Sequence, residues 1–133
     1  MSGYWLAAAI GAGSGLLLLA FLVRLDAKTI ANQGLIALVA MLAIYVGARL
    51  VSGSLEEILW ETALALAAAS VTQAIMLRWP PIVGVAILLH GTYDALVGPH
   101  TGVAEWYPPL CAGFDFVVGA GLLVILLRRE RAY

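Results

Sequence analysis

Ionisable side chains within apolar sequence are the first feature of this chain that could do chemistry. His90 and Asp94 lie four residues apart, and so do Glu57 and Glu61. A fifth such residue, Asp115, follows in a later apolar stretch. A spacing of four places each pair on one face of a helix, with Cβ atoms about 5–6 Å apart. Imidazole and carboxylate groups that project from facing helices bind metals, so these residues predict a metal site.

Each of the five residues has an expected role. His90, Asp94 and Asp115 are the expected ligands, and a divalent zinc, iron or manganese ion is the expected cofactor. Glu57 or Glu61 would act as the general base toward a metal-bound water molecule. This is the chemistry of a metal-dependent hydrolase, which at a membrane would act on a lipid or a peptide.

The composition indicates that membrane helices position these residues. Of the 133 residues, 63% are hydrophobic and 11% are charged. Soluble domains have about 45–50% apolar and about 25% charged residues. The composition therefore excludes a soluble enzyme, and the net charge of −1 gives no field that would attract a nucleic acid. We predict an integral membrane protein.

Five apolar stretches predict an all-α bundle of five transmembrane helices. The first covers 20 uncharged residues, and at about 1.5 Å per residue it matches the bilayer's hydrocarbon thickness of about 30 Å. The stretches lack the alternating pattern of barrel strands, so each should be a helix. The predicted spans are about 4–23, 30–51, 55–77, 81–97 and 109–127, within one transmembrane domain over 1–133.

Basic residues near the span ends predict the orientation. Cytoplasmic loops carry an excess of Lys and Arg. With the N-terminus outside, one basic residue, Arg49, falls on the outer side and six fall on the inner side. The six are Arg24, Lys28, Arg78, Arg128, Arg129 and Arg131. We predict an N-terminus outside, a C-terminus inside, and an outer loop over 98–108 that limits access to the site as a lid.

The ionisable side chains within the spans concentrate in the predicted outer half of the membrane. Glu61, His90 and Asp115 lie six or seven residues from the predicted outer helix ends, about 9–10 Å below the boundary. An ionisable side chain inside a span costs about 2.5–3.5 kcal/mol on insertion scales, so these residues are functional candidates. We expect an outward-facing Glu/His/Asp cluster.

Other functions stay open on the sequence alone. The same acids and histidine, with Gln73 further along the third span, could pass protons or cations in an oligomer. Against a continuous path, almost nothing ionisable lies between Gln73 and Arg78. Gly11 and Gly15 have the GxxxG spacing of close helix contacts, which suits a small scaffold subunit of a membrane complex. Five short helices bury little surface in one another, which favours a homo-oligomer.

Two family resemblances add expectations. The segment His90–Asp94, preceded by Glu56 and Glu57, resembles the intramembrane CAAX-processing and bacteriocin-processing protease group. That group uses a Glu-Glu pair and, on a later helix, a His-x-x-x-Asn/Asp pair. The resemblance implies that Glu57 activates water, although the group has Arg four residues later, where this chain has Glu61. The run 90–115 also resembles small bacterial multi-span proteins, which implies a bacterial inner membrane location and no particular chemistry.

Overall fold

The computed structural model describes residues 2–131, and the regular structure within them is helical throughout. Its α-helices are α1 (Ser2–Leu22), α2 (Ala27–Ser52), α3 (Leu55–Met76), α4 (Ile82–Leu96) and α5 (Tyr107–Arg131). All of these except α4 are long and apolar enough to cross a membrane. In a bilayer, helices satisfy their own backbone hydrogen bonds, so an apolar chain of this length folds into them. The predicted all-helical class is confirmed, with four helices that have the length and apolar composition of membrane spans.

The short helix of the bundle is α4, which carries His90 and Asp94. Its 15 residues cover about 22 Å, less than the hydrocarbon thickness of about 30 Å. Pro81 stands at its N-cap, where a residue without a backbone N–H is tolerated. The helix contacts α5 on one side and α2 and α3 on the other. It therefore packs against three helices, while side chains such as Leu89 stay exposed.

Small residues set the contacts of α5, which lies between α1 and α4. A Cβ on Gly11 would overlap the backbone carbonyl of Leu110, and one on Gly113 would overlap that of Ala8. The backbones of α1 and α5 therefore touch directly, as small residues allow in membranes. The helix contact expected from Gly11 and Gly15 is thus found within this chain.

Glycines also bring α4 against α5. A Cβ on Gly84 would lie 2.7 Å from the carbonyl oxygen of Gly119, and one on Gly91 would lie 2.9 Å from Cβ of Asp115. Larger side chains at these positions would separate the two helices. The close crossing places His90 on α4 next to Asp115 on α5.

The apolar core and the polar cluster occupy different halves of the bundle. The core lies nearer the turn between α1 and α2. Its fully buried members are Leu22, Ile30, Leu38, Val83, Ile87, Val118, Leu122 and Leu126. From Val83 in this core, α4 runs to Asp94, and α5 runs back from Asp115 to Leu126. The polar side chains therefore sit at the other end of both helices.

Polar contacts tie each end of the bundle. At one end, Arg129 donates to the carbonyl oxygens of Leu25 and Val23, the latter at 2.7 Å. This joins the C-terminal end of α5 to the turn between α1 and α2. At the other end, Arg49 of α2 donates to the carbonyl oxygen of His100 at 3.4 Å. The loop after α4 therefore lies beside the C-terminal end of α2.

Two helix starts are capped by side chains. Asp26 accepts hydrogen bonds from the Thr29 hydroxyl at 2.6 Å and from the Thr29 N–H at 2.9 Å, which hold the pKa of Asp26 below its usual range. Ser54 and Glu57 form a capping box at α3, because each side chain accepts from the other residue's N–H. Glu57 therefore has a structural role at the start of α3.

Candidate metal centre

Three buried side chains from α4 and α5 meet in one cluster. Nδ1 of His90 lies 2.7 Å from Oδ2 of Asp115 and 3.4 Å from Oδ2 of Asp94. His90 is 5% exposed, and both aspartates are 0% exposed. One candidate ligand atom from each residue lies within 4.8 Å of the other two. The three residues that the sequence singled out as ligands are thus brought together.

Tyr45 joins the cluster from α2. Its hydroxyl donates to Oδ1 of Asp94, and the side chain is buried. Asp94 therefore has Oδ2 left on the side of His90. Gly98 leaves room for the phenol, since a Cβ there would lie 2.7 Å from the Tyr45 hydroxyl. Sequence reasoning missed Tyr45, although a tyrosine in the middle of an apolar span needs a partner for its hydroxyl.

Three buried polar atoms of the cluster lack a hydrogen-bond partner within residues 2–131. They are Nε2 of His90, Oδ2 of Asp94 and Oδ1 of Asp115. Buried polar side-chain atoms in proteins nearly always have a partner, and each exception calls for an explanation such as strain, a catalytic role, or a water or ion. Each of the three candidate ligand residues therefore has one such atom.

The cluster contains more acid than base. With both aspartates ionised, the three side chains carry a net charge of −1 when His90 is protonated and −2 when it is neutral. Uncompensated charge in a low-dielectric interior is unfavourable. The nearby guanidinium of Arg49 contacts Glu57 and Glu61 instead, at 3.7 Å and 3.5 Å. A divalent cation would balance the charge of two ionised carboxylates beside a neutral imidazole.

Glu61 lies beside the cluster, and Glu57 lies apart from it. The hydroxyl of Tyr93 donates to Oε1 of Glu61 at 2.5 Å, and Nε of Arg49 is 3.5 Å from Oε2. The Tyr93 ring stacks on that of His90, with 6.2 Å between centroids. Tyr93 therefore contacts Glu61 and lies against the His90 ring. Glu57 is half-exposed at the start of α3.

A partly open cavity of about 300 Å³ lies between α2, α3 and α4, next to the cluster. Its polar lining residues are Glu61, Thr72, His90 and Tyr93, and the rest of its wall is aliphatic. Small-molecule sites are usually cavities of about 300–1,000 Å³ with apolar walls and a few polar groups. His90 belongs both to the cluster and to the wall of this cavity.

The cluster is enclosed, whereas we expected it to face outward. Its neighbours cover α4 on both sides, and the segment after α4 covers its end. This segment includes a short 3-10 helix, Gly98–His100, and a buried Thr101 whose hydroxyl donates to the Gly98 carbonyl at 2.7 Å. The Tyr107 ring lies 6.1 Å from that of Tyr45. Access to His90 is therefore from the cavity.

The fold and the site together define a helical protein with four helices long and apolar enough to span a membrane and a buried His/Asp/Asp cluster beside an apolar cavity. Comparisons with protein-family models, with curated proteins and with solved structures found no match to this chain. The function therefore has to be inferred from the chemistry of the site.

Proposed function

We propose that this chain is a membrane metalloprotein in which His90, Asp94 and Asp115 bind one divalent zinc, iron or manganese ion. The ion would activate water for hydrolysis of a lipid or peptide substrate. The observation that carries the proposal is the set of two fully buried carboxylates and one imidazole within 4.8 Å of one another. A divalent cation would balance the charge of the two ionised carboxylates.

The distances in the cluster are close to those of a metal site. Tetrahedral zinc with ligands at about 2.0–2.1 Å separates neighbouring ligand atoms by about 3.4 Å. Nδ1 of His90 and Oδ2 of Asp94 already have this separation, 3.4 Å. Nδ1 of His90 and Oδ2 of Asp115, now 2.7 Å apart, would have to separate by about 0.7 Å to reach the same distance. Three protein ligands leave the fourth position for water, as in catalytic zinc sites.

We assign the role of general base to Glu61. It lines the same cavity as His90, and Tyr93 holds one of its oxygens. Arg49 supplies its countercharge at 3.5 Å. Glu57, which the protease resemblance implies as the water-activating residue, instead contacts Ser54 and Arg49. The proposed hydrolase therefore uses the second acid of the Glu57/Glu61 pair.

The proposed topology has five spans, with the N-terminus outside and the C-terminus inside the bacterial inner membrane. Six of the seven basic residues fall at the end that holds the α1–α2 turn and the C-terminal end of α5. The seventh, Arg49, falls at the opposite end, near His100. This asymmetry supports an inner location for the basic end.

A proton- or cation-translocating oligomer is the second candidate. Four polar residues in contact lead from the half-exposed Glu57 toward His90. They are Glu57, Arg49, Glu61 and Tyr93. Further along the cavity, however, the lining after Thr72 consists of aliphatic residues such as Ile75 and Ile82. Such a wall gives no ligand for an ion, so the hydrolase proposal fits the cavity better.

Elemental mass spectrometry of the detergent-purified chain tests the proposal. We expect about one zinc, iron or manganese ion per chain, and loss of that ion in His90→Ala and Asp115→Asn. His100→Ala is the matched control, because His100 is exposed in the loop. Absence of all three metals after reconstitution, or equal loss in His100→Ala, would contradict the proposal.

A further inference from the structure

We infer that the cavity between α2, α3 and α4 holds one hydrocarbon chain of a membrane lipid and places that lipid's first polar group beside His90. The inference names the substrate class of the proposed hydrolase, and in that respect it rests on the proposed function. Binding of the chain itself depends on the cavity wall and not on a metal ion.

The cavity has the length and direction of an acyl chain. On α3 its lining extends from Glu61 to Ile75, fourteen residues along the helix, or about 21 Å. On α4 it extends from Ile82 to Tyr93, about 16 Å. Acyl chains also run along the membrane normal, and each leaflet takes half of a hydrocarbon core of about 30 Å. A single straight chain therefore fits along the helices.

The polar groups of the wall are concentrated toward one end. Glu61 lies near the start of α3, and His90 and Tyr93 lie near the end of α4. Thr72 is the only polar lining residue further along in the described chain. An extended peptide inserted here would bring an unpaired N–H and C=O at each residue, and aliphatic walls cannot satisfy them. An amphiphile with one polar end and an apolar tail matches this distribution.

The exposed part of the lining is aliphatic. Leu64, Val71 and Leu89 line the cavity and are 50%, 57% and 66% exposed. At the depth of the spans these side chains contact lipid, so a chain can enter sideways from the bilayer. Lipid tails are as apolar as these side chains, so the wall contributes shape rather than a hydrophobic driving force. Polar contacts with His90 and Tyr93 would then determine which lipids bind selectively.

Photocrosslinking in vesicles tests the inference. The probe is lysophosphatidylcholine with a diazirine in its acyl chain, added to the full chain and mapped by mass spectrometry of peptides. We expect labelling of the peptides that contain Leu64 and Leu89. Ala68→Phe fills the cavity and should reduce this labelling about tenfold, because a packed wall does not absorb an added ring. Ala74→Phe is the control on the same helix, at an exposed position outside the cavity lining.

Metal content measured in the same samples separates the two proposals. Labelling that is centred on the cavity and lost in Ala68→Phe supports the inference, whether or not the protein contains metal. Uniform labelling of the exposed helix faces, unchanged in Ala68→Phe, would overturn it and leave the metal result unaffected. Should Ala68→Phe not fold, Ala86→Leu narrows the cavity from α4 with a smaller change.

Discussion

Tyr45 and Asp94, 49 residues apart in the sequence, are joined by a buried hydrogen bond in which the phenol donates to the carboxylate. The bond attaches α2 to α4 and occupies Oδ1 of Asp94, which leaves Oδ2 on the side of His90. Partners of this kind orient metal ligands and fix which oxygen is available. Tyr45 is therefore the residue through which α2 would control the proposed metal centre.

Removal of the Tyr45 hydroxyl tests this role. We expect Tyr45→Phe to fold and to bind metal 10–100-fold more weakly, the usual effect of losing a group that orients a ligand. Titration against a competing chelator measures the change. Tyr4→Phe, at an exposed position on α1, is the control. Equal metal affinity in both variants would show that Tyr45 has only a packing role.

The close contact between α4 and α5 at Gly91 predicts that a larger side chain there lowers stability and metal content. A Cβ at this position would lie 2.9 Å from that of Asp115, so Gly91→Ala must move α5 away from His90. We expect a loss of about 1–3 kcal/mol in stability and a lower metal content. Gly47→Ala is the control, because a Cβ on Gly47 meets nothing within 4 Å. Thermal unfolding in detergent measures stability, and equal melting of both variants would contradict the expectation.

The ion pair between Arg49 and Glu61 predicts that a second substitution restores stability lost by the first. Arg49→Gln leaves the buried Glu61 without its countercharge, and we expect a cost of about 1–3 kcal/mol. Glu61→Gln in the same chain should restore part of that stability, because the unpaired buried charge is then gone while the contacts of Arg49 with Glu57 and His100 stay lost. The melting temperatures of the two single variants and the double variant give the coupling. Additive losses would show that the pair has no mutual stabilisation.

Glu61→Gln by itself distinguishes a base from a ligand. The substitution should leave metal content unchanged, since Glu61 is held by Tyr93 and Arg49 outside the three-residue cluster. Hydrolysis of a monoacyl ester lipid should fall by about 10²–10⁴-fold, the usual contribution of a general base. Loss of the metal in Glu61→Gln would instead identify Glu61 as a ligand.

The proposed orientation predicts which positions react from outside the cell. Cys111, the one cysteine of the sequence, is buried, and Cys111→Ala gives a background without thiols. On that background we expect a membrane-impermeant maleimide to label Ala104→Cys in intact cells. Lys28→Cys should react only after the membrane is permeabilised. The reverse pattern would mean that the N-terminus is inside.

The helices could be predicted closely where their ends carry local signals. Ser54 before the third span marks the start of α3, which the structure places at Leu55 as predicted. The last helix was predicted from residue 109 and begins at Tyr107, because prolines fit in a first turn that lacks internal N–H partners. Asp26 caps α2, so α2 starts at Ala27 rather than at residue 30.

The sequence predicts only those parts of the candidate site that follow from residue spacing along a helix or from depth in a predicted span. His90 and Asp94 share a helix face by their spacing, and Asp115 lies at a similar depth. The position of Tyr45 and the enclosure of the cluster depend on which helices are neighbours. In the structure α5 separates α1 from α4, although α1 comes first in the sequence. Such pairings arise from packing between distant segments, which periodicity in one sequence does not encode.

The length of α4 also bears on the surrounding lipid. In the proposed five-span topology, a helix of about 22 Å in a hydrocarbon layer of about 30 Å would be a case of negative hydrophobic mismatch, which bilayers accommodate by thinning locally. His90 lies six residues, about 9 Å, from the helix end at Leu96. Thinning around α4 would then draw the headgroup layer toward that depth and shorten the distance that water must travel. In that topology, membrane thickness would be a physical variable that sets access to the proposed metal centre.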